Sequence, residues 1–183
     1  MRRGWCAAAL MWVLVAVAGC GEGRVTGEPS APVGTGEVEA SRAAVQESLR
    51  SVVDIATGLG LQVPEASGSW TSCGAEPLRL KYGAGASGTP AGVAGTSTMA
   101  EAIATLADAL AEAGWTLEGT TTEPRASAVL TQDDLQASLG ESRRNPGAVS
   151  LGVTGPCLAV APEQDALLGE RDTVLPEPPA PAG

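Results

Sequence analysis

Four cysteines, one lysine and no histidine set the chemistry open to this chain of 183 residues. Without imidazole neither a Ser-His-Asp nor a Cys-His arrangement can be built, and zinc loses its commonest nitrogen ligand. Lys81 is the single lysine and has no serine three residues before it, so the serine-lysine nucleophile is excluded as well. Cys6, Cys20, Cys73 and Cys157 include no Cys-x-x-Cys pair, which removes the usual dithiol redox site.

Three further groupings have the spacing of a site. Gly83-Ala84-Gly85-Ala86-Ser87-Gly88 spells Gly-x-Gly-x-x-Gly after an expected strand, with Asp108 twenty residues beyond. That motif works by opening a helix whose N-terminus holds pyrophosphate, and here ten residues of loop intervene with no parallel βαβ unit. Asp133-Asp134, with Glu141 nearby, suggests calcium or a glycosidase pair, but the rigid spacing of a calcium loop is missing. Acidic residues at a helix start explain the pair more simply. Arg143-Arg144, followed by Asn145-Pro146, is the basic cluster outside the first residues, and paired guanidinium groups suit carboxylate or phosphate. As a surface turn the cluster needs no ligand. No cofactor and no metal are expected, and the chain is read as non-enzymatic.

The informative cysteine is Cys20. Arg2-Arg3 form a charged start, an apolar run extends from Ala7 to Ala18, and Val17-Ala18-Gly19 precede Cys20. The run is shorter than the roughly 20 apolar residues a spanning helix needs, and a plain cleaved signal has no use for a cysteine at the cut. This spelling resembles the lipobox of bacterial lipoproteins. The resemblance implies that residues 1–19 are a signal peptide and that the Cys20 sulfur receives a diacylglyceryl group, carrying acyl chains such as palmitate. The chain is then cut before Cys20. Two acyl chains anchor stably because burial adds about 0.8 kcal/mol per methylene, whereas one chain holds only marginally. The expected location is the extracytoplasmic face of a cell membrane. Arg2-Arg3 do not complete a twin-arginine motif.

The resemblance also carries the cysteine count. Cys6 leaves with the signal and Cys20 takes lipid, so Cys73 and Cys157 remain, and in an oxidising envelope they are expected to pair. Cleavage removes two of the eleven basic residues and none of the twenty-one acidic ones, leaving a net charge of −12. Such a balance repels nucleic acid and anionic head groups, so the expected contacts are the membrane through Cys20 and an envelope protein, not nucleic acid. With no Phe, one Tyr and only Trp70 and Trp115 beyond the signal, the core must be built from Leu, Val and Ala.

The elements that must hold these residues follow from periodicity. Residues 20–36 read as a lipidated flexible tether with a root-mean-square reach of roughly 20 to 25 Å. A helix is expected over 37–57, where Val38, Val45, Leu49, Val52 and Ala56 form one stripe and Gly58 takes the left-handed cap. Residues 64–69 read as loop, 77–82 as a strand, and 83–97 as a mobile loop. A second helix opens at Thr98 with Glu101 in capping-box spacing and closes at Gly114. Residues 115–121 and 125–131 are expected to pair as strands. A short helix follows over 131–140, then a charged turn over 141–147, a last strand over 148–154 and helical turns within 162–168. Residues 171–183 read as a Pro-rich disordered tail.

The predicted fold class is α+β: two helices on one face of a small, mainly antiparallel four-stranded sheet, stapled by one disulfide, over residues 37–170. Trp70 is expected either to cover the sulfurs or to sit in the core elsewhere. Trp70-x-x-Cys73, Gly114-Trp115 and Gly155-Pro156-Cys157 resemble small, mostly uncharacterised secreted lipoproteins of high-GC Gram-positive bacteria. That resemblance brings no catalytic residues. The functional expectation is a binding or interaction module, and the alternative is a carrier of a small apolar or lipid ligand.

Overall fold

The structure, a computed structural model, describes residues 31–74, 77–90 and 98–175. Cys20, the expected signal and residues 20–30 of the expected tether lie outside the described residues. The chain is α+β and its sheet antiparallel, as expected, but the sheet has nine strands rather than four. Among the described residues there are two α-helices and, between the last two strands, one 3-10 helix, three helices where two were expected.

Helix α1 covers Thr35–Gly58 and buries Val38, Val45, Leu49, Val52, Val53 and Ala56, the predicted stripe with Val53 added. Its left-handed residue is Gly60 (φ 99°), two positions later than expected, so Gly58 remains helical. Helix α2 covers Met99–Glu112. Thr98 Oγ1 accepts from the Glu101 amide at 3.2 Å, Glu101 Oε2 accepts from the Thr98 amide at 3.0 Å, and Gly114 (φ 99°) ends the segment as predicted. Both stripes face the sheet, meeting Leu80, Tyr82, Leu130, Leu139, Leu151 and Val153 in one core.

The strands are β1 (Leu61–Gln62), β2 (Ala66–Gly74), β3 (Arg79–Pro90), β4 (Thr116–Thr121), β5 (Ser127–Gln132), β6 (Leu135–Glu141), β7 (Val149–Thr154), β8 (Leu158–Ala159) and β9 (Arg171–Leu175). Their order is β4-β5-β6-β7-β3-β2-β9, with β1 and β8 also paired to β3.

Four expectations are corrected. Residues 83–90 are not loop but the second half of β3, paired to β2 on one side and β7 on the other. Glycine and alanine have weak strand propensity, and pairing on both sides outweighs it. Residues 66–69 likewise belong to β2 rather than to a loop. The helix expected over 131–140 is the β5–β6 hairpin: Leu135, Ala137 and Leu139 recur at period two as well as i, i+4, and Asp133 (φ 50°) with Asp134 makes the two-residue turn. Residues 171–175 are strand β9 on β2, so the expected tail over 171–183 loses its first five residues to the sheet. The turns expected within 162–168 form the 3-10 helix Pro162–Leu167.

Cys73 and Cys157 are bonded, with α-carbons 6.1 Å apart. Cys73 does not precede the first strand, as expected, but sits within β2 at a bulge between Ser72 and Gly74. There it reaches over β3 to the residue before β8.

Candidate functional site

Alternation along the strands divides the sheet into two chemical faces. Leu80, Tyr82 and Ala84 of β3, Val149, Leu151 and Val153 of β7 and Ala137 and Leu139 of β6 are buried in the core. Their neighbours on the opposite face are Lys81, Gly83 and Gly85 of β3, Ser150, Gly152 and Thr154 of β7, and Gln136, Ser138 and Gly140 of β6. In register across four strands lie Ser67, Gly85, Gly152 and Ser138. One step along, Ser87 faces Ser150, which faces Gly140. The residues of this face enclose an open groove of about 650 Å³.

Glycine keeps its floor low. A Cβ on Gly85 would stand 3.1 Å from the Leu151 carbonyl oxygen, and one on Gly152 would stand 2.9 Å from Ser138 Oγ. Ser87 Oγ is buried beside the groove with no hydrogen-bond partner among the described residues.

Arg143 and Arg144 stand on one wall, in the loop between β6 and β7. That loop is held from within: the Ser142 amide donates to the Ala148 carbonyl at 2.9 Å, the Ala148 amide to the Asn145 carbonyl at 3.0 Å, and the Asn145 amide to Ser142 Oγ at 3.1 Å. Gly147 (φ 84°) turns the chain back into β7. A second cleft of about 520 Å³ shares Gly140, Glu141 and Arg143 with the groove and adds Arg125. Glu141 Oε1 accepts from the Ala126 amide at 3.4 Å, which turns it toward the start of β5. Glu65 also lines the groove. Of eight Lys and Arg among the described residues, three therefore gather at this end, and none of the three is in an ion pair there.

A second polar cluster lies under α1. Tyr82 Oη donates to Asp172 Oδ2 at 2.7 Å and accepts from Gln46 Nε2 at 3.0 Å. Arg42 pairs with Glu170 at 3.3 Å and Asp172 at 3.6 Å, and lies over the rings of Trp70 and Tyr82, 5.9 Å from each centroid. Burial pushes the Tyr82 hydroxyl up to about 12; the Gln46 bond opposes the shift and Asp172 adds to it. These groups join α1 to β9 and line none of the clefts just described, so the cluster holds the fold together.

The predicted site residues fall in different places. Cys73 and Cys157 meet; Cys20 lies outside the described residues. Of the two positions open to Trp70, the structure takes the core, where its ring meets Tyr82 edge-on at 5.2 Å. Asp133 and Asp134 form an exposed hairpin turn at one end of β6 and Glu141 lies at the other, so the three carboxylates do not converge. Among the described residues no group of three or more Cys, Asp or Glu is placed to hold a metal ion. Gly83, Gly85 and Gly88 sit inside β3, and Asp108 is exposed on α2, so no helix N-terminus follows the glycine motif. Arg143 and Arg144 line the groove, and so do Glu141 of the acidic grouping and Gly85 of the glycine motif.

Sequence reasoning missed the serines. Ser67, Ser87 and Ser138 fell in segments read as loop or helix, and the signal that could have found them is the period-two alternation of Ser138 and Gly140 with Ala137 and Leu139.

Fold and groove define a small disulfide-stapled α+β domain with one face covered by helices and the other open and polar. No helix among the described residues is long and apolar enough to cross a membrane. Residues 38–172 match the family described as Putative lipoprotein LppJ, and the chain belongs to that family. The match takes in α2, the disulfide, strands β1 to β8 and all but the outer ends of α1 and β9. No curated protein matches the chain, and no solved structure does. A lipoprotein family points to envelope association through lipid.

Proposed function

We propose that this chain is a lipid-anchored protein of the cell envelope, attached at the extracytoplasmic face through Cys20, whose domain binds another envelope component without catalysing a reaction. The observation that carries the reading is the open groove of about 650 Å³, lined by serine hydroxyls and the two arginines of the β6–β7 loop. Membership of a lipoprotein family supports the anchor, as does the apolar run that ends at Cys20. The absence of histidine from the chain supports a binding role over hydrolysis.

A carrier of apolar ligand is the second reading. It would use the neighbouring cleft of about 550 Å³, where Leu61, Val63, Pro64 and Ala148 contribute apolar surface. That cleft also contains Thr57, Gln62, Ser87, Thr89 and Asn145, a polar lining for a grease carrier.

Crosslinking and pull-down from native membranes, beside a Cys20→Ala control, test both parts. The expected result is a reproducible protein neighbour and loss of membrane association in the variant. Retention of the variant on membranes would overturn the anchor, and stoichiometric co-purified lipid in the domain would favour the carrier.

A further inference from the structure

We infer that the arginine-walled groove is a binding site for an extended acidic peptide segment of a partner protein, presented at the end of the domain away from its tether. The inference rests on the reading of the domain as an interaction module and names its ligand chemistry.

The whole chain has net charge −10, yet Arg125, Arg143 and Arg144 gather around two adjoining clefts without ion pairs among the described residues. Unpaired guanidinium groups in an acidic chain mark a place for carboxylate. The surrounding negative charge disfavours a continuous polyanion such as nucleic acid or an anionic bilayer, so the ligand brings a few local charges.

The floor then narrows the class. Ser67 and Ser138 lie three strand spacings apart, about 14 Å, with Gly85 and Gly152 between them. Four residues of extended chain span that distance. Serine hydroxyls both donate and accept, and those of Ser67, Ser138 and Ser150, all exposed, match the alternating N–H and C=O groups of such a backbone. The lining contains no aromatic side chain on which a sugar ring could stack. Glu65 and Glu141 also line the groove, so ligand carboxylates are to be met by Arg143 and Arg144 alone.

Topology gives direction. Val33, where the chain enters α1, donates its amide to Ala159, which pairs with Arg79 at the start of β3 beside the disulfide. Ser87 lies seven residues further along β3 than Leu80, about 23 Å away. A domain held by residues before Val33 therefore carries the groove at its distal end.

The test uses the full chain and a fluorescein-labelled ten-residue peptide alternating Glu and Ser. Binding should weaken as salt rises and fall at least about tenfold in Arg143→Glu/Arg144→Glu. It should be lost in Ser138→Tyr, which fills the trough from an exposed position without changing charge, and be unchanged in Arg50→Glu on the far helix. A Lys/Ser peptide should not bind. Equal binding by the groove variants would overturn the site. Full competition by inorganic phosphate, or arginine-dependent binding to phosphatidylglycerol vesicles in place of the peptide, would overturn the ligand class. None of these readouts depends on Cys20, so failure here is separable from failure of the anchor.

Discussion

Tyr82 and Asp172 are 90 residues apart in the chain and share a 2.7 Å hydrogen bond, the phenol donating to Oδ2. The bond joins central strand β3 to edge strand β9 beneath α1, and Arg42 and Gln46 close the same cluster from the helix. An edge strand of five residues has little other purchase on the core, with Val174 its one buried side chain.

Replacing that carboxylate should loosen β9. Asp172→Ala leaves the buried phenol without its acceptor and Arg42 with one partner fewer, and is expected to destabilise by about 2 kcal/mol in urea unfolding. A double-mutant cycle with Tyr82→Phe should show coupling of about 1 kcal/mol. Additive single effects would show that the two residues do not depend on one another.

The same phenol predicts an alkaline limit. Burial is the main cause that pushes Tyr82 up to about 12, while an unfolded tyrosine titrates near 10. The folded state therefore keeps the proton longer than the unfolded one. Stability from this group is complete below pH 10 and is lost as pH rises from 10 toward 12. Melting temperatures across that window should fall more steeply for the wild type than for Tyr82→Phe.

Gly68 is required by contact. It sits opposite Ala84 in β2, and a Cβ there would collide with the Tyr82 hydroxyl. Gly68→Ala should cost about 2 kcal/mol or more, through displacement of a ring that nothing else can replace. Gly119 on edge strand β4 has open space around its Cβ position, and Gly119→Ala should change stability by less than about 0.5 kcal/mol. Paired urea titrations decide the matter.

The disulfide closes a loop of 84 residues that contains most of the domain. The chain-entropy model assigns such a closure about 4.5 kcal/mol. Cys73→Ser/Cys157→Ser should fall by an amount of that order in chemical denaturation, and reduction of the wild type should reproduce the loss. A double variant as stable as the oxidised protein would show that the staple is dispensable.

The helices were legible because their signals are local. The stripe from Val38 to Ala56 and the Thr98–Glu101 box each lie within a turn or two of the chain. The β4–β5 pair was legible for the same reason, its two strands being separated by a tight turn. Most of the remaining sheet was not. Gly83 to Pro90 contains no bulky apolar residue, and its strand state depends on partners as distant as Ser67 and Leu151. Leu135 and Leu139 fit two periods at once, and the hairpin with β5 chose between them.

The cysteine count, the acidic balance, the missing histidine and the apolar run before Cys20 are properties of composition and order, and the sequence alone determines them. It likewise determined that Arg143 and Arg144 form a basic cluster. Only the tertiary structure decided that they stand over a trough of serines drawn from β2, β3, β6 and β7. The physical reason is register: strand pairing places Ser67 beside Gly85 and Ser138 beside Gly152 through hydrogen bonds between segments far apart in the chain.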